Sequence, residues 1–215
     1  MAVPSRSTPQ PRARSPPADR LTIYEASLEA FLVSTGVVAL GEMGDKTQLL
    51  AMLLAVKFRK PVPIILGIFV ATLANHAFAG LAGDWVARAL GPQVLRWVIG
   101  LSFIAMAAWM LVPDKADDAP QVATGRWGVF GVTVVAFFLA EMGDKTQIAT
   151  VMLAARYDAL AAVVLGTTLG MMAANVPAVL LGERVTRWVP IHWVHRAAAA
   201  VFAALGVAVL AGAGG

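Results

Sequence analysis

The seven residues Glu-Met-Gly-Asp-Lys-Thr-Gln occur twice in this chain, at 42–48 and again at 141–147. Both copies lie within otherwise apolar stretches, and the second follows the first by 99 residues. Further residues match at the same offset, for example Gly67 with Gly166. Self-similarity at a fixed spacing is the signature of an internal structural repeat. The chain is therefore predicted to contain two copies of one unit, each carrying the same charged motif.

Six apolar stretches are predicted to span a membrane, because each is near the roughly 20 residues that cross a bilayer as a helix. They lie at about 28–56, 62–83, 93–112, 128–155, 159–181 and 193–212. Of the 215 residues, 59% are hydrophobic and only 14% are charged, which is more apolar than a typical soluble domain. The predicted fold class is an all-α polytopic membrane protein with six transmembrane helices.

The six spans divide into two three-helix repeats, 27–112 and 128–215, joined by a linker loop at 113–127. Each repeat has an odd number of spans, so the second copy is expected to cross the membrane in the opposite orientation. Two inverted three-helix repeats are a common plan of secondary transporters. Residues 1–26 are rich in proline and arginine and are predicted to form a disordered basic tail.

The composition also excludes several classes of site and partner. The chain has no cysteine, so disulfides, thiolate metal ligands and cysteine nucleophiles are excluded. Its net charge of +4 is what basic loops between membrane spans produce, and basic patches interleaved with aromatic residues are absent. We therefore expect membrane lipid, and not nucleic acid, as a partner. The sequence leaves the oligomeric state open.

The motif places three charged side chains near the middle of a membrane span. A charge at that depth costs from about 2.5 to more than 10 kcal/mol, so these residues must face one another or water. In a continuous helix, Glu42, Asp45 and Gln48 share one face, and Lys46 can pair with Glu42 four residues earlier. Alternatively, the glycines of the motif loosen the helix and expose backbone carbonyls.

Inverted symmetry is expected to bring both motifs together at the midplane of the membrane. Four carboxylates and two lysines leave a net charge of −2, which one divalent cation or two protons would neutralise. The ligands are all oxygen atoms, which suit Mn²⁺, Ca²⁺ or Mg²⁺. The predicted metal ligands are Glu42, Asp45, Gln48, Glu141, Asp144 and Gln147. The predicted supporting residues are Lys46, Thr47, Lys145, Thr146, Asn75 and Asn175.

Two simpler interpretations stay open beside this one. The charged residues can be a buried ion-pair network that only fixes helix packing, and the two asparagines can serve helix–helix hydrogen bonding alone. Toward the C-terminus, His192 and His195 stand beside tryptophans, and we expect them at the membrane interface.

The duplicated Glu-x-Gly-Asp-Lys-Thr resembles the signature of a cation/proton exchanger family once filed as uncharacterised protein family 0016. The resemblance covers about residues 27–213, and the family includes Golgi and bacterial manganese and calcium transporters. It implies export of Mn²⁺ or Ca²⁺ in exchange for protons, and a bacterial member is expected to export manganese across the inner membrane. It also implies metal binding by four carboxylates, those of Glu42, Asp45, Glu141 and Asp144.

The predicted function is therefore secondary exchange of a divalent cation, Mn²⁺ before Ca²⁺, for protons. No cofactor is expected, because the metal is the transported substrate. A passive channel is the first alternative, since it would move the metal without protons. An intramembrane aspartyl protease is the second, but its Gly-x-Gly-Asp signature is not met because Glu42 stands where its first glycine belongs.

Overall fold

The computed structural model describes residues 18–112, 128–182 and 191–212. Within these ranges the chain forms eight α-helices and no strand. They are α1 (Ala18–Glu42), α2 (Lys46–Phe58), α3 (Pro61–Ala89), α4 (Pro92–Met110), α5 (Gly128–Glu141), α6 (Lys145–Arg156), α7 (Leu160–Leu181) and α8 (Ile191–Leu210). The prediction of an all-helical protein is confirmed.

Two of the six predicted spans are not continuous helices. The stretches 28–56 and 128–155 each form two helices that meet at the motif. Gly44 and Gly143 adopt φ angles of 86° and 76°, a left-handed conformation that glycine takes readily and that interrupts a right-handed helix. The prediction of a continuous helix through the motif was wrong, and the alternative of a helix opened at glycine describes the structure.

Among the described residues, five helices are long and apolar enough to cross a membrane. These are α1 from Thr22 onward, α3, α4, α7 and most of α8. By contrast, α5 has 14 residues and is shorter than a span of its own requires. It extends to spanning length only together with α6, which begins beyond the second break.

The first helix begins earlier than the sequence suggested. Residues 18–26 belong to α1, so the predicted tail boundary at 26 is corrected. Pro17 is the last proline before this helix, and the following segment contains alanine, leucine and glutamate, which favour helix formation. Residues 1–17 and the predicted linker at 113–127 lie outside the described residues.

Helices of one half pack against helices of the other half. A Cβ atom at Gly166 in α7 would lie 2.5 Å from the carbonyl oxygen of Phe31 in α1. A Cβ atom at Gly67 in α3 would lie 3.0 Å from the carbonyl oxygen of Phe130 in α5. Both glycines, and both phenylalanines, are related by the 99-residue offset of the motif. Such close backbone approach requires glycine, so the same contact is built twice.

The last helix of each half packs against its counterpart in the other half. The rings of Phe103 in α4 and Phe202 in α8 have centroids 6.0 Å apart, and these two residues also match at the 99-residue offset. Further toward the start of α4, the side chain of Arg96 lies beside Gly212, just after the end of α8. The two helices therefore run antiparallel, with both phenylalanine side chains fully buried.

Candidate metal centre

The two helix breaks have the same backbone geometry. The amide N of Asp45 donates to the carbonyl of Glu42, and the amide N of Asp144 donates to the carbonyl of Glu141, both at 3.1 Å. Each aspartate begins the next helix with nearly identical angles, φ −80° and ψ 168° in the first copy and φ −79° and ψ 166° in the second. Neither aspartate side chain caps its own helix, so both carboxylates are available for other contacts.

The two glutamines stabilise the breaks. Gln48 Oε1 accepts from the amide N of Gly44 at 3.0 Å, and Gln147 Oε1 accepts from the amide N of Gly143 at 2.7 Å. A glutamine at the third helical position that reaches back over the helix start resembles a capping box. Both oxygens predicted to bind metal thus already accept a hydrogen bond, although an amide oxygen has a second lone pair.

Each motif threonine holds the glutamate that precedes it by five residues. Thr47 Oγ1 donates to Glu42 Oε2 at 2.6 Å, and Thr146 Oγ1 donates to Glu141 Oε2 at 3.1 Å. Both glutamates are fully buried. The structure thus places one threonine hydroxyl against each glutamate carboxylate, and the supporting role of these threonines in metal binding stays a prediction.

Several carboxylate oxygens are buried without a hydrogen-bond donor among the described residues. They include Oε1 of Glu42, Oε1 of Glu141 and Oδ2 of Asp144. Burying an anionic oxygen without a partner is expensive, and in native proteins most buried polar atoms are satisfied. Such oxygens are therefore suited to accept a cation or a proton.

Three of the four predicted carboxylates meet in one cluster drawn from both motifs. Glu42, Asp45 and Asp144 each offer an oxygen, and these oxygens lie within 4.8 Å of one another. Oxygens bound to one calcium-sized ion lie up to about 5 Å apart, because each bond is about 2.3–2.6 Å long. Glu141 is buried next to Thr146 but does not belong to this group.

Lys46 connects the two motifs instead of pairing with Glu42 of its own motif. Lys46 Nζ lies 2.9 Å from Oδ1 of Asp144, in the other half. The predicted pairing of Lys46 with Glu42 is corrected, since the break at Gly44 removes the helical spacing on which it depended. Lys145 is buried, and its Nζ donates to the carbonyl of Val112 at 3.5 Å.

The asparagines of α3 and α7 make different contacts. Asn75 Nδ2 donates to the carbonyl of Phe138 at 3.1 Å and so joins α3 to α5. Asn175 Nδ2 donates within its own helix, to the carbonyl of Met171 at 3.1 Å. The observed contact of Asn75 is the helix–helix hydrogen bond that the sequence left open as the simpler interpretation.

The sequence did not indicate the position of one further residue. His195 Nε2 lies 3.0 Å from the carbonyl oxygen of Met43, at the break of the first motif. The residue was expected at the membrane interface. Its partner is a backbone carbonyl, which every residue possesses, so no pattern of side chains could have indicated the contact.

The arrangement is thus a buried acidic cluster, assembled from two helix breaks and bridged by the ion pair between Lys46 and Asp144. The model of the divalent cation/proton antiporter GDT1 family matches residues 30–118 and 129–215. The chain belongs to this family. The GDT1 family is a family of transporters, so the enzyme alternative is set aside, and the chain is a multi-pass protein of the bacterial inner membrane.

Relatives of this GDT1 member are found in bacteria and plants. A protein of Vibrio cholerae named "Putative manganese exporter" is 49% identical over 185 residues, which cover 86% of this chain and 92% of the relative. "GDT1-like protein sll0615" of Synechocystis is 26% identical over 73% of this chain and 84% of its own length. "GDT1-like protein 3" of Oryza sativa is 25% identical over 72% of this chain and 64% of its own length. No solved structure matches the chain.

Proposed function

We propose that this GDT1 member exports Mn²⁺ from the cytoplasm in exchange for protons, with Ca²⁺ as the second candidate substrate. One observation carries the proposal. Carboxylates of both motif copies, from Glu42, Asp45 and Asp144, converge within 4.8 Å in a buried cluster. Like charges that are this close and buried repel strongly, and either a divalent cation or protons relieve that repulsion.

The competition between metal and protons follows from the charge count. With Glu141 included, the four buried carboxylates and two motif lysines carry a net charge of −2 when all are ionised. One divalent cation or two protons neutralise this charge, so binding of one occupant disfavours the other. A site that must hold one of the two while it changes its exposure is the minimum needed for coupled exchange.

The packing of the helices supports two inverted three-helix repeats. The last helices of the halves are antiparallel, as shown by the Phe103–Phe202 contact and by Arg96 beside Gly212. Two copies with the same orientation would make these helices parallel. In this proposal α1 with α2, and α5 with α6, each form one broken span, which brings the number of spans to six. Rocking of one half against the other then exposes the cluster alternately to each side.

The choice of Mn²⁺ and of export rests on the Vibrio relative and on the ligand chemistry. At 49% identity over most of both chains, the name of that relative favours manganese moving outward. A site made of carboxylate oxygens suits both Mn²⁺ and Ca²⁺, so both metals belong in the test.

The test is metal flux into proteoliposomes that contain a pH-sensitive dye, with Mn²⁺ and Ca²⁺ offered separately. We expect metal movement with opposed proton movement, and we expect Glu42→Gln and Asp144→Asn to abolish both. Asp84→Asn is the matched control, because Asp84 pairs with Arg88 at the protein surface and should leave the flux unchanged. Metal flux without proton movement would instead favour a channel or uniporter, and absence of both fluxes would reject the proposal.

A further inference from the structure

The break of the first motif is tied to two helices of the second half. His195 in α8 lies 3.0 Å from the carbonyl oxygen of Met43. A carbonyl oxygen can only accept, so the ring Nε2 carries the proton and donates. Gln48 Nε2 also donates to the carbonyl of Ala174 in α7, at 3.1 Å. The first break is thus held by α7 and α8 together.

The break of the second motif lacks the corresponding bonds. Within the described residues, the carbonyl of Met142 accepts no hydrogen bond, and Gln147 bonds only the amide N of Gly143. The exposure of the two breaks differs in the same sense, since Met142 is 57% exposed and Met43 is half-buried. The two motifs thus have the same sequence, but among the described residues only the break of the first is hydrogen-bonded and shielded by helices of the other half.

The residue equivalent to His195 in the first half is Arg96, at the 99-residue offset. The register of α4 against α8 is fixed independently by the contact between Phe103 and Phe202, which have the same offset. Arg96 makes no hydrogen bond or ion pair within the described residues, and its Nε is buried without a partner. The exposed break of the second motif thus has a counterpart to His195 in the first half, namely Arg96, and this hydrogen-bond donor is unused in the described part of the chain.

We propose that His195 and Arg96 are reciprocal latches, each closing one motif break in one of the two transport states. In the present state His195 holds the Met43 carbonyl and Arg96 is released. In the opposite state Arg96 donates to the Met142 carbonyl and His195 is released. The proposal rests on the exchange function above, because in inverted repeats the two halves exchange environments between states. Neither latch is one of the predicted metal ligands, and both are positioning residues.

Each latch acts on the carbonyl that directly follows a glutamate of the motif, Met43 after Glu42 and Met142 after Glu141. Holding that carbonyl fixes the break and, with it, the direction of the neighbouring carboxylate. A bond made in only one of two states favours that state. Removing His195 should therefore shift the equilibrium toward the opposite state by roughly two- to tenfold, the effect of one ordinary hydrogen bond. Removing Arg96 should shift it back.

Thiol labelling measures this equilibrium directly, because the chain has no cysteine. Two reporter proteins, Met142→Cys and Met43→Cys, are reconstituted in nanodiscs in metal-free buffer and labelled with a maleimide. We expect His195→Leu to slow labelling at position 142 and to speed it at position 43, each by about two- to tenfold. Arg96→Leu should produce the reverse changes. The double variant should return both rates close to those of the parent reporters.

Conservative variants separate latching from folding. His195→Gln and Arg96→Lys keep a hydrogen-bond donor and should keep the parent labelling rates, which a purely steric role would not predict. If His195→Leu does not fold, the Arg96→Leu and Arg96→Lys pair decides the question alone. Shifts of the same sign for both leucine variants, or no shift for Arg96→Leu, would overturn the latches. The labelling needs no metal, so a failure of metal exchange in proteoliposomes would be seen separately.

Discussion

A single glycine decides where each motif opens. Gly143 has a φ of 76°, and a Cβ atom built on it meets nothing within 4 Å. Alanine there would be disfavoured by its backbone conformation alone, by about 1–2 kcal/mol. We expect Gly143→Ala to lower the unfolding temperature in detergent and to reduce Mn²⁺ flux. Gly36→Ala is the control, because Gly36 is a helical glycine with open space around it, and alanine is the better helix former.

The hydroxyl of Thr47 is predicted to set the strength of metal binding. It donates to Glu42 at 2.6 Å, inside the protein, and a hydrogen bond to a charged group contributes about 1.5–3 kcal/mol. Thr47→Val removes the donor and keeps the shape, so the ionised glutamate loses its support. We expect the apparent affinity for Mn²⁺ to fall about ten- to hundredfold, measured as the half-saturating concentration for flux. Thr47→Ser should retain near-normal affinity, and equal losses in both variants would contradict this account.

Among helices, the contact of α7 with α1 depends on the absence of a side chain. A Cβ atom at Gly170 would lie 2.6 Å from the carbonyl oxygen of Thr35 and 2.9 Å from the amide N of Ala39. Backbone cannot move aside as a flexible side chain can, so Gly170→Ala must separate the two helices. Overpacking of this kind costs about 1–3 kcal/mol. We expect a lower unfolding temperature than for Gly36→Ala, and equal temperatures would refute the tight contact.

The sequence predicted the helices well where hydrophobic length was the signal. Four of the six apolar stretches are single helices, α3, α4, α7 and α8. The two exceptions contain the motif. There the apolar stretch continues although the helix is interrupted, because hydrophobicity gives no information on the φ angle of a glycine. The glycine of the motif was the available signal, and it was read as one of two alternatives. The start of α1 was misplaced for a related reason, since a polar segment can be helical without being apolar.

At the site, the sequence indicated which side chains matter better than how they are arranged. The acidic cluster of Glu42, Asp45 and Asp144 comes from the predicted set, because charges within an apolar span have few alternatives to one another. Which lysine pairs with which carboxylate depends on the relative position of the two halves. That relative position is set by packing between residues far apart in the chain, so it cannot be predicted from the local spacing of the motif residues.

For the molecule as a whole, the ion pair between Lys46 and Asp144 joins the two halves at the centre of the site. Lys46 and Asp144 are 2.9 Å apart, and Asp144 is 5% exposed. Breaking a buried pair by removing one partner costs about 3–5 kcal/mol, because the other charge stays buried. We therefore expect Lys46→Met to lower the unfolding temperature strongly and to abolish flux.

The double variant distinguishes folding from transport. Lys46→Met with Asp144→Asn leaves no unpaired charge at this contact, so we expect most of the lost stability to return. Flux should stay absent, because a carboxylate of the cluster is missing. Size-exclusion chromatography and thermal unfolding report the first property, and proteoliposome flux reports the second. A double variant as unstable as Lys46→Met would show that the pair is not coupled in the way described.

The exchange of helix partners between the halves bears on how such a chain can arise. Helix α1 packs on α7, and α3 packs on α5. The helices of each half therefore pack mainly against helices of the other half. If the halves are inverted repeats, as proposed above, an ancestor with a single half would have needed a second copy in the opposite membrane orientation to complete the same interior, so its chains had to insert in both orientations. Fusion of two copies of the gene for one half fixes the ratio of the two membrane orientations at one to one. After fusion each copy is free to change alone, as Arg96 and His195 already differ at equivalent positions.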